Sequence, residues 1–275
     1  PEPEIYASPE FNYRIRAQIK VGQNGVRGFF RRKTNDIVPI EHCPLLCDQI
    51  NGLLKTISGK PEYISGGNLK VISGDDGLTS DPLLPSITKS VASIRVGDFR
   101  FEVNGGSFFQ SNRFLLEQLG NWAKPLVGGD FCVDLFGGTG FFSIMLSNNF
   151  KRGLLIESVD AQVQMANKNY ASNGIFSFTA QHCSAEQVQS AIPVKPDLLI
   201  IDPPRPGLTK KAREGVKMVG AEKILYVSCN PSTQARDICF LTKQCGYAIE
   251  KMALFDLYPN THHLETAILL GKYKS

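Results

Sequence analysis

The chain has 275 residues, 42% hydrophobic and 20% charged, which is enough apolar material for a core and unlike a disordered tail. Its apolar runs fall short of the roughly 20 residues needed to span a bilayer, so no membrane association is expected. Thirty Lys and Arg against 26 Asp and Glu give a net charge of +4, too mild to identify a nucleic-acid partner, and seven scattered cysteines point to reduced thiols and a cytoplasmic location.

Beginning at Pro1 without a methionine, the chain reads as a piece of a longer protein. Residues 13–21 alternate bulky and polar side chains, 22–25 read as a turn, and 26–30 return, which makes a hairpin. Between Phe11 and Asn35 the basic residues Arg14, Arg16, Lys20, Arg27, Arg31, Arg32 and Lys33 meet no acidic one. The hairpin is therefore either a solvated sheet edge or a surface for phosphates. Helical spacing at Leu46, Ile50, Leu53 and Leu54 predicts a helix over 44–57, with Pro44 in its first turn. Residues 73–86, rich in Gly, Asp and Pro, read as a loop, and 91–96 with 99–103 as a second hairpin. Residues 1–106 are thus expected to form a small antiparallel β-rich domain.

From Ser107 onward strands and helices alternate, the mark of a doubly wound, Rossmann-like α/β domain over 107–275. Strands are expected at 131–136, 153–157, 198–202, 224–228 and 267–270, and helices at 141–148, 161–173 and 231–240. Ligands bind beyond the carboxyl ends of such strands, so polar residues there are the candidates. Asp134-Leu-Phe136-Gly-Gly138-Thr-Gly140 follows the first strand, and its glycines let the backbone approach a ligand closely. Glu157 ends the next strand, where a carboxylate can accept hydrogen bonds from ribose hydroxyls. The full G-x-G-x-x-G of dinucleotide sites is missing, and Asp134 suits a cationic amine. S-adenosylmethionine, with an amine and a carboxylate, fits these residues better than a dinucleotide.

Asp202-Pro-Pro-Arg205-Pro-Gly207 caps an apolar strand with a stiff loop that aims Asp202. Amine methyltransferases carry an aromatic residue where Arg205 stands, which argues against amine chemistry. Cys229 ends another apolar strand just before a helix start, a setting that favours a thiolate. Cys132, Cys183, Cys239 and Cys245 read as ordinary inert cysteines. His262-His263-Leu-Glu265 precedes the last strand; no third ligand at metal-site spacing accompanies it, so no metal is expected. Phe108-Phe-Gln110-Ser-Asn112 could stack on a base and read its edge, or form a buried seam between domains.

Together these motifs resemble the S-adenosylmethionine-dependent RNA 5-methyluridine methyltransferases. The matching stretches are Phe108-Phe-Gln-Ser-Asn112, Asp134 to Gly140, Asp202-Pro-Pro-Arg-Pro-Gly-Leu208, Ser228-Cys-Asn-Pro-Ser-Thr233 and Tyr258-Pro-Asn-Thr-His-His-Leu-Glu265, in the family's order. Residues 37–51, with His42-Cys43-Pro-Leu-Leu46, look like the family's central domain, which faces RNA. The resemblance implies that Cys229 attacks C6 of a uracil in structured RNA (tRNA or rRNA). Carbon 5 then takes the methyl group, and Glu265 removes the C5 proton, with His263 the next candidate for that base. It further implies that Gln110, Phe136, Gly138, Gly140, Phe141, Glu157, Ser184 and Asp202 contact S-adenosylmethionine.

The chain departs from the family's common pattern at Gly137, Phe141 and Ser184. Many members also hold an iron–sulfur cluster; Cys43 matches its fourth cysteine, but the other three are not in this sequence and Cys47 alone cannot replace them, so Cys43 is expected as a ligand only if upstream cysteines exist in the full-length protein. Two other classes remain open from residues alone. One is a dinucleotide-dependent oxidoreductase with a pyrophosphate on the glycine turn; the other is a catalytically inactive RNA-binding module using the basic hairpin.

Overall fold

The computed structural model describes residues 1–22, 25–57 and 66–273. Of the turn expected at 22–25, Gln23 and Asn24 lie outside the described residues. The chain forms two compact units, one of Pro9–Phe114 and one of Pro1–Ser8 with Leu115–Ser275, whereas the sequence suggests a division after residue 106. Strand β1 (Glu4–Tyr6) belongs to the second unit.

The 9–114 unit contains β2 (Arg16–Val21), β3 (Arg27–Phe30), β4 (Ile37–Pro39), α1 (Asp48–Ile57), β5 (Gly67–Gly74), β6 (Gly77–Asp81), β7 (Ala92–Val96) and β8 (Phe99–Val103). Five strands make an antiparallel sheet in the order β4-β3-β2-β5-β6, and β7 pairs with β8. In β2, Ala17, Ile19 and Val21 are buried while Arg16, Gln18 and Lys20 face outward, the two-residue period of a half-buried strand. Both expected hairpins are present.

The loop expected at 73–86 is instead a hairpin, because β5 runs on to Gly74 and pairs with β6 from Gly77. Asp75 and Asp76 form its tight turn, their carboxylates accepting the N–H groups of Arg95 and Ser93 at 2.7 and 2.8 Å. Buried Thr79 and Ser80 satisfy their hydroxyls on backbone carbonyls, so polar composition concealed a strand. The helix expected from Pro44 starts at Asp48. Arg27 leaves the basic surface: it is buried and its guanidinium donates to the Ile57 carbonyl, while Arg31, Arg32 and Lys33 stay exposed.

The second unit adds α2 (Leu116–Asn121), β9 (Gly129–Leu135), α3 (Phe141–Met145), β10 (Phe150–Glu157), α4 (Asp160–Ser172), β11 (Phe178–His182) and α5 (Val188–Ala191). It continues with β12 (Leu198–Ile201), α6 (Lys210–Val219), β13 (Lys223–Ser228), α7 (Pro231–Cys245), β14 (Tyr247–Phe255) and β15 (Glu265–Lys272). Eight strands form one sheet in the order β1-β14-β15-β13-β12-β9-β10-β11. All pairings are parallel except those of β15 with β13 and β14, so the last strand is antiparallel in an otherwise parallel sheet. Buried Val133, Leu135, Ile156, Leu199, Ile201, Ile224 and Tyr226 build the core, and all of β12 is buried, as a strand covered on both faces requires.

The helix expected over 141–148 ends at Met145 and passes into a 3₁₀ turn at Ser147–Asn149. Among the described residues no helix is long and apolar enough to cross a membrane. The strand order reverses between β9 and β12, the position in open α/β sheets where ligand crevices form.

Candidate active site

The carboxyl end of β9 passes into a tightly coiled loop. Phe136, Gly138 and Gly140 adopt left-handed φ angles of 64°, 55° and 92°, and at 138 and 140 glycine meets that demand without a side-chain clash. The Gly138 N–H donates to Glu157 Oε2 at 3.1 Å, which ties this loop to the end of β10. Glu157 Oε1 accepts the N–H groups of Ser158 and Val159 at 2.7 and 2.9 Å, so the carboxylate is aimed by its own backbone.

Asp134, 1% exposed, accepts the Ser143 N–H on Oδ2 at 3.1 Å, but its Oδ1 is buried with no hydrogen-bond partner among the described residues. Burial pushes the Asp134 carboxyl up to about 7 against the hydrogen bonds from Ser143, and the Glu157 charge adds to the rise. An orphaned acceptor beside a glycine loop matches a ligand that brings a charged donor, such as an ammonium group. Ser184 lies just past β11, which pairs with β10, and its hydroxyl donates to Glu186 at 3.1 Å. Phe141 begins α3 with its ring in the core, edge-on to Phe142 at 5.0 Å.

Asp202 follows β12 at the reversal of strand order. Part of it is exposed, yet enough protein surrounds it that burial, with the nearby Asp134 charge, pushes its carboxyl up to about 7. The loop after it is held by α7. Fully buried Asp237 accepts the Leu208 N–H and the Tyr226 hydroxyl on Oδ2, each at 2.8 Å, and pairs with Arg236 and Arg213. Arg236 in turn donates to the carbonyls of Pro206 and Leu208 at 2.9 and 3.0 Å. Gly207, at φ 72°, is required here, since a Cβ would come within 2.6 Å of Asp237. Asp237→Ala is expected to destabilise the protein by about 1–3 kcal/mol for each of two groups, because it leaves the Leu208 amide and the buried Tyr226 hydroxyl without their acceptor, and a lower urea midpoint would record it.

Cys229 and Glu265 meet through strand register. Ser228 of β13 stands opposite Thr266 of antiparallel β15, so the next residue on one strand, Cys229, comes beside the preceding one on the other, Glu265. Gln234 of α7 locks the pair of strand ends: its amide donates to the carbonyls of Tyr226 and Thr266, and its Oε1 accepts the Thr266 hydroxyl at 2.6 Å. Asn230 caps α7, accepting the Ser232 N–H at 3.2 Å, so Cys229 lies just outside a helix N-terminus. Burial pushes the Cys229 thiol up, the Glu265 and Asp202 charges push the same way, and Arg205 opposes them. Glu265, 3% exposed, is driven well above the ordinary carboxylate range by burial and then by Asp202. Arg205 Nη2 lies 2.9 Å from Nε2 and 3.1 Å from Nδ1 of His263.

Cys229, Glu265, Asp202, Asp134, Glu157, Ser184 and the 136–141 loop thus all belong to one unit, at carboxyl ends of its strands or beside them; Gln110 belongs to the 9–114 unit. Among the described residues no three His, Cys, Asp or Glu side chains group to hold a metal. Cys43 has its backbone N–H and carbonyl tied to Asn51, and Cys47 is buried. These residues do not fit a cluster that needs four thiolates. Sequence reading missed Gln234, Asp237 and Arg236. The signal was present: Gln234 and Asp237 fall with Ile238 and Leu241 on the buried stripe of α7, where apolar residues are the rule.

Residues 87–273 match the family model described as tRNA (uracil-5-)-methyltransferase. An uncharacterised RNA methyltransferase of Nanoarchaeum equitans is 37% identical over 184 residues, 66% of this chain and 40% of that protein. The tRNA (uracil(54)-C(5))-methyltransferase of Schizosaccharomyces pombe is 28% identical over 97% of this chain and 55% of its own length. The chain therefore spans about half the length of these two relatives. In fold it is similar to the Pyrococcus abyssi tRNA (uracil-54, C5)-methyltransferase solved with S-adenosyl-L-homocysteine, with a TM-score of 0.80 and 23% identity over 98% of this chain and 79% of that one.

Proposed function

The chain belongs to the tRNA (uracil-5-)-methyltransferase family, and from that premise we propose that it transfers a methyl group from S-adenosylmethionine to C5 of a uridine in RNA. The observation that carries the reading is the strand register that sets Cys229 beside Glu265 at the rim shared with Asp202 and the glycine loop. Relatives named for uridine 54 of tRNA make tRNA the favoured substrate over rRNA. The 9–114 unit, which carries Gln110, is the RNA-facing part.

Asp134, the 136–141 loop, Glu157 and Ser184 would hold the cofactor: Asp134 its ammonium group, Glu157 its ribose hydroxyls. Bound there, it supplies an electrophilic methyl on a sulfonium. Cys229 adds its sulfur to C6 of the uracil, and the electron pair of the C5–C6 double bond moves toward C5 and the O4 carbonyl. Carbon 5 is thereby nucleophilic enough to form a bond to the methyl carbon as the sulfonium–methyl bond breaks. Glu265 then takes the C5 proton, the C5–C6 double bond re-forms, and the Cys229–C6 bond breaks. Burial makes Glu265 a stronger base than an exposed carboxylate once it is ionised. A base undergoing this chemistry must leave its stack to reach the residues that act on it.

The direct test is incubation of unmodified tRNA and rRNA transcripts with labelled S-adenosylmethionine, followed by mapping of 5-methyluridine. Label in tRNA at a single uridine is the expected result; no label in either RNA would overturn the reading.

Two further outcomes follow. An ammonium group favours the ionised form of Asp134, so cofactor affinity should fall as pH drops below about 7, by up to about tenfold per unit. Asp134→Asn should bind weakly with a flat profile in calorimetry. For RNA, neutralising Arg14, Arg16, Arg31 and Arg32 should flatten the salt dependence of binding by about one unit of slope per lost phosphate contact and leave cofactor binding unaltered. An unchanged slope would favour the solvated sheet edge.

A further inference from the structure

We propose that Gln234 is a positioning residue for the reaction: acting through Thr266, it fixes the spacing at which Cys229 and Glu265 meet one uracil ring. The inference rests on the roles given above to Cys229 and Glu265, and adds a buried side chain that touches neither substrate nor cofactor. Gln234 lies in the first turns of α7 and is 2% exposed. Its amide is used up inside the protein: Nε2 donates to the carbonyls of Tyr226 at 3.1 Å and Thr266 at 3.3 Å, and Oε1 accepts the Thr266 hydroxyl at 2.6 Å. Carbonyls only accept, so the amide has one orientation that satisfies all three bonds. The same hydroxyl lies 3.1 Å from the Ser228 carbonyl oxygen. One side chain thus ties α7 to the ends of β13 and β15.

These bonds stand where the backbone ladder stops. The pairing of β13 with β15 ends at Ser228 and Thr266, and Cys229 and Glu265 are the next residues outward. Glu265 is still paired on its other side, with Phe255 of β14, and Cys229 leads straight into the cap of α7 at Asn230. The separation of the two is therefore left to the link between α7 and Thr266. Packing alone does not call for an amide here: Ile238 and Leu241 fill the same buried stripe with apolar side chains, and a buried amide is disfavoured unless its bonds are made. The spacing matters because C5 and C6 are neighbouring atoms of one ring, and a misplacement of about 1 Å costs on the order of 10² in rate.

The test is steady-state methylation of unmodified tRNA by the intact chain. Gln234→Met keeps the length and burial of the side chain and removes its hydrogen bonds. It should lower kcat about 10–100-fold, while KM for tRNA and calorimetric affinity for S-adenosylmethionine stay within about twofold. Thr266→Val should do the same, Thr266→Ser should recover most of the loss, and the double variant Gln234→Met, Thr266→Val should be no slower than the slower single one. If Gln234→Met unfolds, as circular dichroism would reveal, the two Thr266 variants give the same comparison. A folded variant with a lower urea midpoint and unchanged kcat would make the network purely structural and overturn the proposal. A second measurement involves no methyl transfer. By register, Glu265→Cys sets a thiol opposite Cys229 at a Cα separation of about 4.5–5.5 Å, within disulfide reach. In a glutathione buffer that disulfide, read by peptide mass spectrometry, should form about tenfold less favourably when Gln234→Met is added. Equal formation in both, or none in either, would also overturn the proposal. Were the methyltransferase reading to fail, 5-methyluridine would be absent with the disulfide difference intact.

Discussion

Cys229→Ala is expected to abolish both 5-methyluridine and any covalent protein–RNA species. Without sulfur addition at C6, C5 of a uracil is too poor a nucleophile to take the methyl group, so the loss should be on the order of 10⁶-fold, the scale of deleting a nucleophile in covalent catalysis. Cofactor affinity should be unchanged, because the Asp134–Gly140 loop and Glu157 depend on β9 and β10, not on β13. The two measurements are calorimetric binding of S-adenosylmethionine and turnover on unmodified tRNA. Retained methylation in this variant would sink the nucleophilic mechanism.

Glu265→Gln is expected to fail later. Glutamine keeps the size and hydrogen-bonding capacity of the side chain but accepts no proton at neutral pH. The variant should still add Cys229 to C6 and receive the methyl group at C5, then stall. A protein–RNA adduct carrying the methyl group should survive denaturing electrophoresis, with product release slowed by about 10²–10⁴-fold. The adduct should disappear in the Cys229→Ala, Glu265→Gln double variant. Normal turnover by Glu265→Gln would move the base elsewhere, with His263 the nearest alternative, and in that case Arg205→Met should also change turnover through its contact with His263. The unaltered enzyme should release product faster as pH rises, because burial and the Asp202 charge raise the Glu265 carboxyl well above the ordinary range and only its ionised form accepts the C5 proton.

The local motifs were legible because each depends on short-range chemistry. A β strand followed by Gly138 and Gly140 declares its turn through backbone freedom, and Asn230-Pro231 declares a helix start through capping. The buried runs at β9, β12 and β13 likewise declared a parallel sheet, since strands covered on both faces carry no alternation. Where local chemistry misled, the cause was a partner distant in sequence. Thr79 read as a loop residue because its hydroxyl finds its acceptor at the Ser90 carbonyl, and Arg27 read as surface because its acceptor is the Ile57 carbonyl. Strand β1 was not visible at all: three residues, two of them exposed, have no pattern until β14 offers them an edge.

By itself, then, the sequence determined the type of domain, the residues available for chemistry and the rim of the sheet on which they end. The tertiary structure alone decided which of them are neighbours and in what electrostatic state. Cys229 and Glu265 are far apart in the chain and meet only because β15 runs antiparallel to β13 in one particular register. A slip of one residue would turn Glu265 to the opposite face of the sheet. The raised carboxyls of Asp134, Asp202 and Glu265 follow from burial and from neighbouring carboxylates, Glu157 for Asp134, Asp134 for Asp202 and Asp202 for Glu265, quantities that no linear spacing contains. The same holds for Asp237, a charged residue on the inner stripe of a helix, whose purpose appears only when α7 folds back onto the loop that carries Arg205.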